Sequence, residues 1–479
     1  MQFSIICPKR SLFKFLLPFF ILVSCELEVI PDVPATLNTG GPTACFTVNA
    51  LTCIVGDCDL AFDAGCSTGA STYRWDFDGD GTVDLEGPTA SAPLHTFTNA
   101  GSYAVRLEVE NSSSLTSDTT LQIEVTAEAI ETFETVDPGA GPASGLALLS
   151  DGGVLITGTT NNEFYLRRID ASGGIVFNRT YSVSNADRAM DVARLSDGSY
   201  VVVGTGFNAA RNRTEILYLR TKANGDPLLG PLLYSQTNPL ASINRVVELT
   251  DGSLLLVGTA SSAKSGNTDM LLFRVSADLS SVDQNLIVLP DDEVPYDAVA
   301  TVNGYVVVGS HRPAGGGEFS GFVATFDLDN EMRRGQPTLY DEVDTERFTS
   351  VTELSDGEIL VAGTSSSRGI AVRILRITDD GQPVDGYPNS VTGNESVDAI
   401  TSAFGTADGG VILAGQMDGD ALLLKLNETG GIHWQQIADV NASDRHNRVV
   451  ATSDGGYFVA GYRGSSLYYA KTDGTGGIN

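Results

Sequence analysis

Histidine is scarce in this sequence. The four present, His95, His311, His433 and His446, are too few and too scattered to build a three-histidine zinc centre in the C-terminal repeats. No G-x-S-x-G elbow and no H-E-x-x-H pair occurs, which removes the usual signatures of a serine hydrolase and of a zinc protease. Basic residues are outnumbered: 29 Lys and Arg stand against 60 Asp and Glu, for a net charge of −31. A surface of that sign repels nucleic acid and anionic lipid. It suits a salty habitat and favours divalent cations. Long apolar runs are missing as well. Phe15 to Val23 is broken by Pro18 and falls short of the roughly 20 residues a spanning helix requires. Cysteine stops early, with six in all and none beyond Cys66.

What is present begins with an export signal. Lys9, Arg10 and Lys14 precede the short apolar stretch, which ends in Leu22-Val23-Ser24-Cys25. That ending resembles a bacterial lipobox. The resemblance implies a signal peptide over 1–24, cleavage before Cys25 and lipid on the new N-terminal cysteine, where several acyl chains would hold it firmly. An ordinary secretory signal is the alternative. Residues 25–41 then read as a lipidated tether, with Pro31, Pro34, Gly40 and Gly41 and no apolar period. Glu26 and Glu28 resemble the acidic tract that marks surface display in some bacteria. The expectation is an outer-membrane lipoprotein on the cell surface, with the periplasmic face as alternative.

Export favours disulfides. Setting aside Cys7 and Cys25 leaves Cys45, Cys53, Cys58 and Cys66, an even set that allows three pairings. Cys45–Cys66 with Cys53–Cys58 is favoured: the first ties the opening strand to the loop before Trp75, and the second closes a short hairpin loop. A four-cysteine zinc site lacks its C-x-x-C spacing.

Residues 42–127 carry short alternating strands separated by turn residues, such as Ala44 to Val48 and Tyr103 to Val109, the pattern of a β-sandwich. Tyr73-Arg74-Trp75-Asp76-Phe77, then Asp78-Gly79-Asp80-Gly81, His95-Thr96-Phe97 and Gly101-Ser102-Tyr103 together resemble the PKD domain family. That resemblance implies an Ig-like sandwich serving as spacer or interaction module, with Trp75 as its buried anchor. The run departs from the family pattern by reading Asp-Phe-Asp-Gly-Asp-Gly. Asp76, Asp78, Asp80 and Asp84, with Gly81 at the sharp turn, match the first part of a calcium loop. The twelfth position is Gly87 rather than Glu, so an Asp- and Gly-rich hairpin turn is the competing reading.

Residues 128–479 are a repeat. Seven turns, Asp151-Gly152, Asp197-Gly198, Asp251-Gly252, Asn303-Gly304, Asp356-Gly357, Asp408-Gly409 and Asp454-Gly455, are each followed by an apolar run closed by Gly158, Gly204, Gly258, Gly309, Gly363, Gly415 and Gly461. Asp-Gly between apolar runs signals a hairpin. A second hairpin follows in each copy, giving four strands per repeat and hence propeller blades. The copies resemble the bacterial D-G-G-Y-x-V-A-G repeat propellers, which implies the fold and no common activity. The expected all-β architecture is thus an Ig-like sandwich followed by a β-propeller of seven blades, with six or eight as the alternatives. The strand Ile130 to Val136 is expected to complete the final blade.

One propeller face carries the long second-to-third loops and the links between blades. Arg211, Arg213, Lys264, Arg312 and Arg368 lie in those loops. Arg188, Arg245, Arg347, Arg445 and His446 lie near the starts of the inner strands. Convergent guanidinium groups suit carboxylate or sulfate, and solvated loop residues are the alternative. No catalytic residue is expected. The reading is a membrane-anchored binding module for a glycan or protein, with no nucleic-acid partner. A polysaccharide-degrading enzyme or a structural subunit of a surface complex is the alternative.

Overall fold

The computed structural model describes residues 41–478 apart from 56–57, 127–129, 236–239, 262–266, 341–344, 366–371, 389, 392–396 and 439–442. The signal peptide, the tether, Cys25, Lys264 and Arg368 lie outside the described residues. The chain divides into two compact units, Met1–Ala129 and Ile130–Asn479.

In the first unit a five-stranded sheet orders Thr52–Ile54, Thr116–Thr126, Gly101–Glu110, Thr72–Asp76 and Leu85–Gly87, and a three-stranded sheet orders Thr47–Val48, Asp59–Asp63 and Leu94–Thr96. The alternation in Gly101–Glu110 puts Val105, Leu107 and Val109 on the buried face. They meet Phe46, Phe62 and Trp75. Trp75 is fully buried, and its indole N–H donates to the Ala90 carbonyl at 2.7 Å, so the polar end of the anchor is satisfied. Cys45–Cys66 and Cys53–Cys58 are both disulfide-bonded, the expected pairing.

Among the described residues, the second unit holds seven four-stranded antiparallel sheets. Blade 1 is Ala143–Leu148, Val154–Thr160, Glu163–Ile169 and Ile175–Tyr181. The inner strands of blades 2 to 7 are Arg188–Arg194, Leu240–Glu248, Asp292–Thr301, Glu346–Glu353, Val397–Gly405 and Asp444–Ala451. Second strands such as Tyr200–Asn208 and Leu254–Ser261 are apolar on both faces because each is sandwiched between neighbouring blades. Blade 7 takes its outer strand from the start of the unit: Phe133–Asp137 pairs with Ser466–Thr472, Lys471 facing Phe133 and Leu467 facing Asp137. The ring thereby has no open blade at the join between chain ends.

Two features recur in every blade. The inner strand carries a β-bulge at one fixed place, between Ala143 and Gly145, Ala189 and Asp191, Ile243 and Arg245, Pro295 and Asp297, Phe348 and Ser350, Ile400 and Ser402, and His446 and Arg448. The carbonyl just before the bulge presses on the closing glycine of the second strand. A Cβ there would overlap the carbonyl oxygen of Pro142, Arg188, Ser242, Val294, Arg347, Ala399 or Arg445 in turn. The repeat's glycine is therefore the mark of the bulge.

Outside the channel, the Asp of the turn binds a basic residue of the third strand in six blades: Asp151 with Arg168, Asp197 with Arg220, Asp251 with Arg274, Asp356 with Arg376, Asp408 with Lys425 and Asp454 with Lys471. Blade 4 lacks both partners. Its turn is the shorter Thr301–Gly304 hairpin, Thr325 takes the basic position opposite Val306, and the neighbouring Phe326 stacks on Tyr305 at 4.9 Å.

Candidate functional site

The bulge sends one side chain per blade out of the ladder. These residues are Ser144, Met190, Asn244, Tyr296, Thr349, Thr401 and Asn447, and all seven line one cavity of ≈ 1030 Å³ at a mouth of the central channel. Five of them donate to a carbonyl of the next blade: Ser144 to Ala189 (2.7 Å), Asn244 to Pro295 (2.7 Å), Thr349 to Ile400 (2.6 Å), Thr401 to His446 (2.6 Å) and Asn447 to Ala143 (2.7 Å). The residue after each bulge makes a second belt. Asp191 accepts the Val246 N–H (3.0 Å), Asp297 that of Val351 (3.0 Å), Ser350 that of Ala403 (2.9 Å) and Ser402 that of Val449 (3.2 Å). Polar side chains thus stitch neighbouring blades around the axis, where sheet hydrogen bonds cannot reach.

Charge in the channel is arranged in two layers. Arg245 Nε lies 2.8 Å from Asp297 Oδ1 and its Nη1 3.3 Å from Asp191 Oδ2. Arg448 is different. Its Nη1 donates to the Thr401 carbonyl at 3.3 Å, while its Nε is buried without a hydrogen-bond partner. Burial lowers its pKa, with Asp191 and Asp297 opposing that shift. Arg448 lines both the wide mouth and the smaller ≈ 410 Å³ cavity that contains Arg245 and Asp297. It therefore stands at the constriction between them.

Among the described residues, the lining of the wide mouth includes Arg188, Arg445 and Arg448, the amides of Asn161, Asn162, Asn244 and Asn447, and no carboxylate. Arg445 donates from Nε to Asn447 Oδ1 at 2.8 Å and lies 5.5 Å above the Tyr462 ring. Arg188 is exposed and makes no ion pair among the described residues. Asn161 and Asn162 adopt φ of +52° and +65°, a turn that Asn tolerates well.

The five residues expected at the mouth do not all meet there. Arg188 and Arg445 line it. Arg245 is a correction: it lies deeper, with its charge already matched by Asp191 and Asp297. Arg347 instead packs 4.3 Å over Phe319, whose ring also carries Arg312 at 5.3 Å. His446 is a second correction. It is buried, its Nδ1 faces the Leu422 carbonyl at 3.2 Å, and its ring stacks on Tyr468 at 5.6 Å. Burial pushes its pKa down to about 4, so it is neutral and faces the blade core. Arg211 and Arg213 turn inward to Glu215 (both 3.1 Å). Arg448, Asn244 and Asn447 were not anticipated. The constant step of seven from bulge residue to turn residue, 447 against 454 and 244 against 251, would have found the two asparagines, and Arg448 is the residue after the second.

In the first unit, ligand oxygens of Asp76, Asp78 and Asp84 lie within 4.8 Å of one another. Asp80 is not in that group and bonds Thr82 instead. Glu86, beside the missing twelfth ligand, is drawn to Arg74 (2.8 Å). Asp76 accepts the N–H groups of Gly79 (2.7 Å) and Gly81 (3.0 Å), and Asp84 that of Phe77 (2.6 Å). These carboxylates hold the turn and keep lone pairs in reserve, so three ligands of the expected four fit a hard cation.

The sandwich now has its assignment. Residues 43–124 form a PKD domain. The PKD domain and its two disulfides mark an exported protein, and among the described residues no helix is long and apolar enough to cross a membrane. No curated protein matches the chain in sequence. Solved structures similar to it include YCF48 bound to D1 peptide, at 15% identity over 72% of this chain and 98% of that one, TM-score 0.46. A structural genomics protein of unknown function from Bacteroides thetaiotaomicron is similar at 10% identity over 91% and 99%, TM-score 0.39. The PQQ-bound aldose sugar dehydrogenase from Streptomyces coelicolor is similar at 14% over 72% and 98%, TM-score 0.38. At these identities and scores none of them bears on the chemistry of this chain.

Proposed function

We propose that the propeller is a non-catalytic binding module that takes an acidic group, the carboxylate or sulfate of a glycan, at its wide mouth, and that Cys25 anchors the exported chain to the outer membrane by lipid, with the propeller at the cell surface. One observation carries the binding reading. In a chain of net charge −31, the described residues that line this mouth include three arginines and no carboxylate. Arg448 is held in place with an unpartnered Nε, a donor suited to an anion that reaches the constriction. Arg188 and Arg445 flank the approach, and the asparagine amides suit sugar hydroxyls.

Affinity electrophoresis through gels containing acidic or neutral polysaccharides tests the reading. Retardation is expected in an acidic gel alone, and Arg188→Ala with Arg445→Ala restores free mobility. Unchanged mobility in every gel moves the weight to a protein partner. A cleared track means an enzyme. The anchor is tested separately: Cys25→Ser abolishes labelling by fatty acid, and protease added to whole cells degrades the wild-type protein if it is displayed.

A further inference from the structure

Away from the channel, the propeller has a second cavity of ≈ 660 Å³ beside blade 4. Leu289, Pro290, Pro337 and Leu339 give it an apolar wall, and Glu293 and His311 a polar one. Glu293, near the start of the inner strand, is 1% exposed and faces His311 across the ladder. His311 Nδ1 lies 3.0 Å from Glu293 Oε1, and Nε2 lies 3.6 Å from Asp291 Oδ2. The other oxygen of Glu293, Oε2, is buried and has no hydrogen-bond partner, a condition that costs free energy until something donates to it.

The surrounding charge says what that donor should be. Asp291 and Asp292 flank Glu293 in sequence, and Asp269 comes from the neighbouring strand Thr268–Val275. Asp292 is held by the Thr268 N–H (2.8 Å) and Asp291 by that of Ala314 (2.7 Å), so neither is free to swing away. Arg334 is exposed at the rim, within 3.4 Å of Thr338 Oγ1. Burial first, then Asp269, Asp291 and Asp292, push the Glu293 carboxyl up to about 8. A buried acid crowded by three others beside an apolar wall is complementary to a cation with a hydrocarbon body.

We propose that this cavity binds a primary ammonium group carried on a short aliphatic chain, with the ammonium donating to Glu293 Oε2 and the chain packed against Leu289, Pro290, Pro337 and Leu339. At neutral pH the incoming cation displaces the carboxyl proton: the carboxylic acid and the ammonium become a carboxylate–ammonium pair, and one proton leaves to solvent. Such a group is offered by a free alkylamine or by a lysine side chain.

Calorimetric titration of the full chain with n-butylammonium chloride, and separately with Nα-acetyl-lysine amide, tests this. Saturable binding is expected, strengthening up to about tenfold per pH unit from pH 6 to 8 as the displaced proton is released more readily. n-Butanol and sodium butyrate should not bind. Whichever amine binds more tightly names the source. Methylammonium should bind several-fold more weakly than its butyl homologue for want of apolar contact, a comparison made on the unaltered protein. Glu293→Gln, a neutral isostere of the protonated acid, should fold normally and lose at least tenfold in affinity together with the pH slope. Absence of saturable binding, equal affinity in E293Q, or displacement of the amine by calcium or zinc would each overturn the proposal.

Discussion

Arg448 keeps a guanidinium nitrogen buried and unpartnered where the wide mouth meets the smaller cavity, a place where an apolar side chain of the same length would pack without penalty. Replacing it by Met keeps the stem and removes the charge. Arg448→Met is therefore expected to leave the melting temperature unchanged or raised, while weakening binding of an acidic ligand at least tenfold. A lower melting temperature would show that Arg448 serves the ring rather than a ligand. Asp76 behaves the opposite way. Its two oxygens cap the N–H groups of Gly79 and Gly81 from a nearly buried position, so Asp76→Ala should destabilise the PKD domain by about 2 kcal/mol with or without calcium. Asp78 is more exposed. Asp78→Asn should spare the turn and remove whatever rise in melting temperature calcium gives the wild type. His446 adds a pH signature. Its folded pKa of about 4 lies below its unfolded value, so the unfolded chain binds more protons between the two. Stability is full above about pH 6.5 and falls as pH drops toward 4, by up to about 3 kcal/mol. H446N should flatten that acid limb in chemical denaturation. At this scale the sequence was half legible. Arg188 and Arg445 can be placed from their positions before an inner strand, but whether a guanidinium meets a carboxylate depends on cross-blade neighbours some fifty residues away, as Arg245 meets Asp191 and Asp297.

Strands and turns were more legible because their signals are local. Asp-Gly needs positive φ, and the apolar run after it needs burial on both sides, so each hairpin announces itself within about a dozen residues. The bulge is read only indirectly, through the glycine it compresses. That relation predicts an asymmetry between two glycines of blade 5. Gly363→Ala places a Cβ against the Arg347 carbonyl and the Phe348 backbone, both fixed by the ladder. It should cost several kcal/mol, at the severe end of single substitutions, and disturb the neighbouring Thr349. Gly357 has φ +84° but open space around its Cβ, so Gly357→Ala should cost only about 1–2 kcal/mol. Equal effects in urea unfolding would mean that the closing glycine is not the seat of the bulge. The basic partners of the turn aspartates were not legible. Asp151 and Arg168 are seventeen positions apart, and only the register of two adjacent strands brings them together.

For the whole molecule, the decisive conflict is between a strongly negative surface and a locally positive mouth. The repeat count and the closing strand were readable, since Phe133–Asp137 is an unattached strand before the first blade and blade 7 lacks its fourth. The distribution of charge was not, because Arg188, Arg445 and Arg448 become neighbours only when the ring closes. The two fields act over different distances. Repulsion of a long polyanion by a net charge of −31 reaches tens of ångströms at low salt and is cut to about 10 Å at 0.1 M. Contact between a carboxylate or sulfate and the half-buried Arg445 and Arg448 is partly shielded from solvent and survives to higher ionic strength. Binding of a polymeric acidic glycan should therefore be weak at low salt, pass through a maximum as the long-range repulsion is screened, and decline once salt competes for the arginines. A short oligosaccharide of the same repeat feels little of the distant charge and should weaken steadily from the lowest salt upward. Calorimetric titrations of the two ligands across that range separate the fields. A monotonic decline for the polymer would place its contacts outside the mouth, and no salt dependence for the oligosaccharide would remove the arginines from the account altogether.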